Sequence, residues 1–288
     1  MLRPRALRLA AFSVAALLVI GVQIGTAASA SAHTCSSNWC SGSDGGTTYN
    51  VQGHNDQIYV GEVGIYCADL GNLCSPSCPG DPGGFCFNTT AANGASSRWS
   101  AGTGIGVQFY YLGGGADSEL EGNYSSPYCF GWHQAVDAEN QISSYFSSYF
   151  YQAYFVFLDI EQNGTFGWSN TAQSANRQVF NGFWDNIAGK APAQDCSGST
   201  TGGYQPATYS APAQWSYSFG SYGSIPNTPI WTYEYCCSGS WPGSYDNADS
   251  FGGSNYMAGW QFDQSPDYDV FYEPEYLPYY GEYIPGEN

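Results

Sequence analysis

Basic side chains are scarce in this sequence, which has only six Lys and Arg residues and three His among its 288 residues. Asp and Glu number 24, so the formal net charge is −18 at pH 7. A surface of this charge repels nucleic acids and anionic lipids. We therefore expect neither of them as a partner.

Long apolar runs are also rare, and the one that stands out lies near the N-terminus. Residues 1–8 carry three arginines and no acid, residues 9–24 are almost wholly apolar, and residues 30–32 are small. This order is typical of a secretory signal peptide covering 1–32; a transmembrane anchor is the alternative. Because no later segment reaches ~18 apolar residues, we expect a secreted, extracellular protein with no membrane span after cleavage.

The ten cysteines all lie beyond the signal segment, between positions 35 and 237. An even number in an exported chain indicates disulfides, although the connectivity cannot be deduced from the sequence. Cys74 and Cys78 resemble half of a zinc site, but no second His or Cys pair follows at zinc spacing. We expect no metal and no cofactor.

The segment 33–57 is rich in Ser, Gly and Thr, which predicts a leader pinned by disulfides, whereas 58–288 predicts one domain. Apolar runs predict strands at 57–70, 104–114, 154–161, 206–211, 229–235 and 256–262. Helical spacing appears at 131–152 and 169–189, the second with Ser169 as N-cap and Gly189 as its end. Strands alternating with helices predict an α/β fold with a parallel sheet, a TIM-like (β/α) barrel.

The stretch "FVFLDIEQNG" (155–164) ends an apolar run with Asp159 and Glu161. On a strand, residues two apart face the same side, so both carboxylates would point into the mouth of a barrel. Crowding two carboxylates raises the pKa of one of them, and a protonated Glu beside an ionised Asp is the arrangement that hydrolyses glycosidic bonds. A pair that only marks the end of a strand is the alternative.

Further motifs follow in a fixed order. "GVQFYYLGG" precedes a helix with Gln134-Ala135, and after the Asp-x-Glu strand come "ATYSAPAQW", "PIWTYEY" and "AGWQFDQSPDYDVF". Over residues 104–271 this succession resembles glycoside hydrolase family 25, the secreted lysozymes, and related glycoside-hydrolase-like domains. The resemblance implies a polysaccharide ligand and hydrolysis of β-linked N-acetylated cell-wall glycan.

The same resemblance assigns the site residues. Glu161 matches the proton donor, and Asp159 matches the partner that orients either a water or the acetamido oxygen of the substrate. Asp269 matches a further acid, although Phe271 stands where the family usually has Asn. The positions expected to line the sugar site are Tyr110, Tyr209, Tyr233, Trp260 and Gln261.

The first strand of that family supplies one more acid, and here two segments compete for the place. Asp69 in "GIYCADL" is the candidate if the strand is 57–70. If "GGFCFN" (83–88) is the first strand, Asn88 stands at that position and the acid is missing.

Two functions therefore remain open at this point: a secreted lysozyme-like hydrolase with Glu161 as general acid, or an inactive barrel of the same descent that binds extracellular glycan or the cell envelope. Family 18 chitinases place acids at preceding alternate positions, where this chain has Phe155 and Phe157. A Ser-His-Asp hydrolase is disfavoured because no Gly-x-Ser-x-Gly motif occurs. We expect a monomer.

Overall fold

The computed structural model describes residues 39–44, 50–51, 54–55, 58–66, 85–86, 106–118, 121–146, 155–161, 166–197, 204–222, 225, 228–234, 250–254, 256–264 and 267–272.

Eleven strands and three α-helices lie in these ranges. The strands are β1 (Trp39–Asp44), β2 (Asn50–Val51), β3 (His54–Asn55), β4 (Ile58–Tyr66), β5 (Phe85–Cys86), β6 (Gly106–Leu112), β7 (Phe155–Asp159), β8 (Gln205–Ser210), β9 (Pro229–Tyr233), β10 (Tyr256–Gln264) and β11 (Asp267–Tyr272). The helices are α1 (Pro127–Phe146), α2 (Gln173–Ile187) and α3 (Pro212–Phe219), and a 3-10 turn spans Glu121–Asn123.

The main sheet is parallel through its centre. Strands β4, β6, β7, β8, β9 and β10 pair in this order, each parallel to the next. Strand β11 is antiparallel to β10, and β1 is antiparallel to β11 and parallel to β4. Helices α1, α2 and α3 follow β6, β7 and β8 along the chain. The predicted α/β fold with a parallel sheet is confirmed.

Strand β7 is apolar at four successive positions, Phe155 to Leu158, and all of its residues are buried. Phe155 and Phe157 belong to one buried cluster, whereas Val156, Leu158 and Ile160 belong to another. Successive side chains of a strand point to opposite faces, so both faces of β7 are covered. The second cluster includes residues of α1 and α2 and is therefore the core between sheet and helices.

The predicted helix boundaries are partly wrong. Helix α1 begins at Pro127, four residues before the expected start, and α2 begins at Gln173. Ala172 occupies the N-cap position, whereas Ser169 forms a turn in which its hydroxyl accepts the Thr171 N–H. Helix α2 ends at Ile187 with Ala188 as its C-cap, and Gly189 follows with φ 68°, as expected of the glycine that stops a helix.

A disulfide links Cys129 in α1 to Cys196 in the segment after α2. It confirms pairing for two of the ten cysteines. It lies outside the predicted leader at 33–57 and outside 71–88, a Cys- and Pro-rich insertion in which we also expected disulfides. Within the described ranges, no helix is both long and apolar enough to cross a membrane.

Candidate functional site

Asp159 and Glu161 lie at the carboxyl end of β7. The strand ends at Asp159, two residues before the predicted end, so Glu161 lies beyond the regular alternation. Asp159 is 5% exposed, whereas Glu161 is only partly buried. Of the two carboxylates, Glu161 is thus the one more open to a ligand.

The backbone of this pair is held from both neighbouring strands. The Gly113 N–H donates to the Asp159 carbonyl at 3.0 Å, and the Ile160 N–H donates to the Tyr209 carbonyl at 3.0 Å. The Ser210 hydroxyl donates to the Ile160 carbonyl at 2.9 Å. These bonds pair the Asp159 carbonyl and both backbone polar groups of Ile160, so the path of the chain is fixed up to the residue before Glu161.

The turn that holds Asp159 is itself clamped. Gln134 is fully buried, its side-chain oxygen accepts the Gly114 N–H at 2.7 Å, and its amide donates to the Gly114 carbonyl at 2.9 Å. The Trp168 indole donates to the Gly113 carbonyl at 2.7 Å. A Cβ on Gly113 would lie 2.5 Å from Leu158 Cδ1, so a larger residue here would have to displace the tip of that buried side chain.

A floor of aromatic rings lies on the Asp159 side of the sheet. Strand register places Asp159 opposite Tyr209, and Tyr209 opposite Trp231. The Trp231 ring centroid lies 4.4 Å from that of Tyr209, 5.7 Å from that of Phe157 and 6.0 Å from that of Tyr110. Trp231 is the centre of this floor, and the sequence reasoning did not select it because its role depends on contacts between strands.

The last two strands bring Gln261 and Asp269 to the same floor. The Tyr209 hydroxyl donates to the Gln261 side-chain oxygen, and the Trp231 indole N–H donates to Asp269 Oδ1 at 3.0 Å. Gln261 lies opposite Tyr233 on one side and opposite Asp269 on the other. The structure therefore brings these two predicted site residues together with Tyr209 and Tyr233.

Trp260 is not brought to this floor. It is fully buried, its register partner is Thr232, and its indole donates to the Glu234 carbonyl at 2.9 Å. Trp260 and Gln261 are adjacent on β10, and adjacent residues of a strand face opposite sides of the sheet, so the structure does not bring these two predicted residues together.

Asp69 and Asn88 lie outside the described residues, but two other acids occupy relevant register positions. Strand β1 lies within the segment predicted to be a leader. It ends at Asp44, two residues after Gly42, which pairs with Asp269. On β4, Glu62 lies opposite Tyr110. Neither Asp44 nor Glu62 was predicted as a site residue. For Asp44, the available signal was an acid at the end of the short segment "WCSGSD".

No protein-family model matches the chain, and neither does any curated protein. Two solved structures are similar. The spore cortex lytic enzyme SleM of Clostridium perfringens has a TM-score of 0.55 at 13% identity over 83% of this chain and 68% of SleM. The modular autolysin LytC of Streptococcus pneumoniae, solved with a synthetic peptidoglycan ligand, has a TM-score of 0.45 at 11% identity. That match covers 83% of this chain and 48% of LytC. The chain shares the fold of SleM.

Proposed function

We propose that this protein is a secreted hydrolase of β-linked, N-acetylated cell-wall polysaccharide, with Glu161 as the general acid. The observation that carries the proposal is the unequal exposure of two carboxylates at one strand end, Asp159 buried and Glu161 partly open. The fold shared with SleM, a spore cortex lytic enzyme, supports the same class of substrate. Residues 1–32, read as a signal peptide, support export.

The sheet supports a site at the mouth of a barrel. Strand β1 pairs with both β11 and β4, which is the connection that closing the sheet into a barrel requires. In barrels of this kind, side chains at the carboxyl ends of the parallel strands carry the chemistry. Asp159 lies at such an end.

The chemistry follows from the two carboxyl groups. Glu161 donates its proton to the glycosidic oxygen as the bond between this oxygen and the anomeric carbon breaks. A water molecule supplies the hydroxyl group that ends on that carbon, and the remaining proton of this water restores the protonated form of Glu161. Asp159 orients this water, or first orients the acetamido oxygen of the substrate. Tyr110 and Tyr233, both partly exposed, offer ring surfaces beside the cleaved bond.

The test measures reducing-sugar release from purified cell walls and from chitooligosaccharides by wild type, Glu161→Gln and Asp159→Asn. Glutamine keeps the shape of the side chain but cannot donate the proton, so turnover should fall by about 10²–10⁴-fold while glycan binding persists. Asp159→Asn should also slow the reaction. The matched control is Asp195→Asn, which removes an exposed carboxylate from the segment after α2 and should leave turnover unchanged.

Two results would contradict the proposal in different ways. If wild type releases no sugar from any wall or N-acetylated glycan but still binds one, the glycan-binding alternative replaces the hydrolase. If wild type is active and Glu161→Gln is equally active, another residue is the acid.

A further inference from the structure

Asp269 is placed where it cannot touch a polysaccharide. Its side chain is fully buried, with 0% of its surface exposed, and one of its oxygens accepts the Trp231 indole N–H at 3.0 Å. An acid that acts on the substrate must come within hydrogen-bond reach of it. The burial of Asp269 leaves no surface for such a contact.

The contact partner of Asp269 does reach the site. Trp231 packs against the ring of Tyr209 at 4.4 Å between centroids and meets the Tyr110 ring edge-on at 6.0 Å. Tyr209 lies opposite Asp159 in the sheet. A rotation of the Trp231 indole would therefore displace rings on both sides of the Asp159 position.

Gln261 holds the second ring of the floor in a similar way. It is 3% exposed, it lies opposite Asp269 in the sheet, and its side-chain oxygen accepts the proton of the Tyr209 hydroxyl. The two residues thus form a pair across β10 and β11, each accepting a hydrogen bond from one aromatic side chain.

We infer that Asp269 and Gln261 are positioning residues of the Asp159–Glu161 site: Asp269 acts through Trp231, and Gln261 acts through Tyr209. The expected effect on kcat rests on the proposed function. The orientation of the Trp231 and Tyr209 rings does not. What Trp231 needs from position 269 is an oxygen that accepts a hydrogen bond, and an amide offers one as a carboxylate does.

The decisive comparison is Asp269→Asn against Asp269→Leu. Asparagine keeps the acceptor and removes the charge, so kcat should stay within about threefold of wild type if position matters. Leucine has a similar size but no acceptor, so kcat should fall by about 10²-fold, the effect of a misplacement of about 1 Å, with KM little changed. Equal losses of kcat in both variants would show that the charge itself is required and would overturn the inference.

Trp231→Phe and Tyr209→Phe test the same contacts from the donor side. Tyr209→Phe keeps the ring and removes the hydroxyl group, whereas Trp231→Phe keeps an aromatic ring but loses the indole N–H together with the five-membered ring that carries it. If Asp269 works through Trp231, the double variant Trp231→Phe/Asp269→Leu should be no slower than the slower single variant. Additive losses would mean that Asp269 acts on something other than Trp231, which also overturns the inference.

A readout independent of catalysis separates this inference from the proposed function. The near-UV circular dichroism sums the surroundings of all nine tryptophans, so the change at Trp231 is measured as the difference between the spectra of each variant and wild type. Far-UV spectra check that each variant is folded. Asp269→Asn should keep the near-UV spectrum of wild type, and Asp269→Leu should change it. If wild type cuts no glycan but the spectra behave in this way, the proposed hydrolase fails and the positioning role stands; identical spectra for both variants would refute the positioning role even in an active enzyme.

Discussion

Helices α1 and α2 approach each other through two glycines, and this contact permits a sharp test of the packing. A Cβ on Gly131 would lie 1.8 Å from the Val179 carbonyl oxygen, and a Cβ on Gly182 would lie 1.9 Å from the Tyr128 carbonyl oxygen. In both cases the obstacle is backbone of the other helix, which cannot rotate away as a side chain would. We expect Gly131→Ala and Gly182→Ala to destabilise the protein strongly.

The size of the effect follows from these distances. Real Cβ contacts do not fall below 3.0 Å, so Gly131→Ala forces the helices apart by at least 3.0 − 1.8 = 1.2 Å. A gap of that size forfeits a quarter to a half of the dispersion energy of the facing contacts, about 2–4 kcal/mol for one large buried side chain. Strain adds about 1–3 kcal/mol, and the higher helix propensity of alanine returns about 1 kcal/mol. The net loss should be about 2–6 kcal/mol.

Urea unfolding followed by far-UV circular dichroism measures the free energy of unfolding of each variant. The matched control is Gly122→Ala in the 3-10 turn, where an added Cβ meets nothing within 4 Å and the residue is exposed. This control should stay within about 0.5 kcal/mol of wild type or become slightly more stable. If Gly131→Ala is as stable as the control, the two helices do not approach as closely as described.

Three further predictions concern stability. Burial, and to a smaller extent the charge of the buried Glu139, raises the pKa of Tyr204 above its ordinary value of 10.0. Above about pH 10 the unfolded chain therefore binds fewer protons than the folded protein. The free energy of unfolding should then fall by up to about 1.4 kcal/mol per pH unit. Tyr204→Phe should remove this part of the slope in urea titrations between pH 9 and 11, and an unchanged slope would refute it. Replacing Cys129 and Cys196 by alanine opens a loop of 67 residues and should lower the free energy of unfolding by about 2–4 kcal/mol. If reductant does not lower the free energy of unfolding of wild type, the prediction is contradicted. Asn176→Leu should cost about 3 kcal/mol or more, because the buried amide serves three backbone groups, and a loss below about 1 kcal/mol would show these bonds to be dispensable.

The sequence predicted the parts of the fold that have a strong local pattern. The run at Phe155–Asp159 identifies a buried strand because both faces are covered, and the spacing of Ala175, Val179 and Phe183 identifies α2. Strand β1 has no such pattern, because "WCSGSD" is short and mostly small or polar, and it pairs with β11 more than 200 residues away. Helix α3 was not predicted for a similar reason, because its eight residues are too few to display helical periodicity.

In the candidate site, too, the sequence predicts the residues with a local pattern but not those whose role depends on contacts between strands. The Asp-x-Glu motif marks Asp159 from the sequence, since a carboxylate that ends an otherwise apolar run is conspicuous. Whether Trp260 or Gln261 faces the aromatic floor depends on the register of β10. A shift of one residue would exchange the two positions. The hydrogen bond between Trp231 and Asp269 joins two strands across 38 positions, so only tertiary structure reveals it.

The pairing of β1 with β11 and the late arrival of Asp269 have a consequence for biosynthesis. Asp159 leaves the ribosome about 110 residues before Asp269, which at ordinary rates of translation corresponds to roughly 5–20 s. During this interval the nascent chain holds both carboxylates of the proposed catalytic pair, but it lacks the strand that pairs with β1 and the oxygen that holds Trp231. A chain released or cleaved before residue 269 would therefore carry the acid without the support of its floor. Synthesis itself thus delays the completed site until the last described strand has been made.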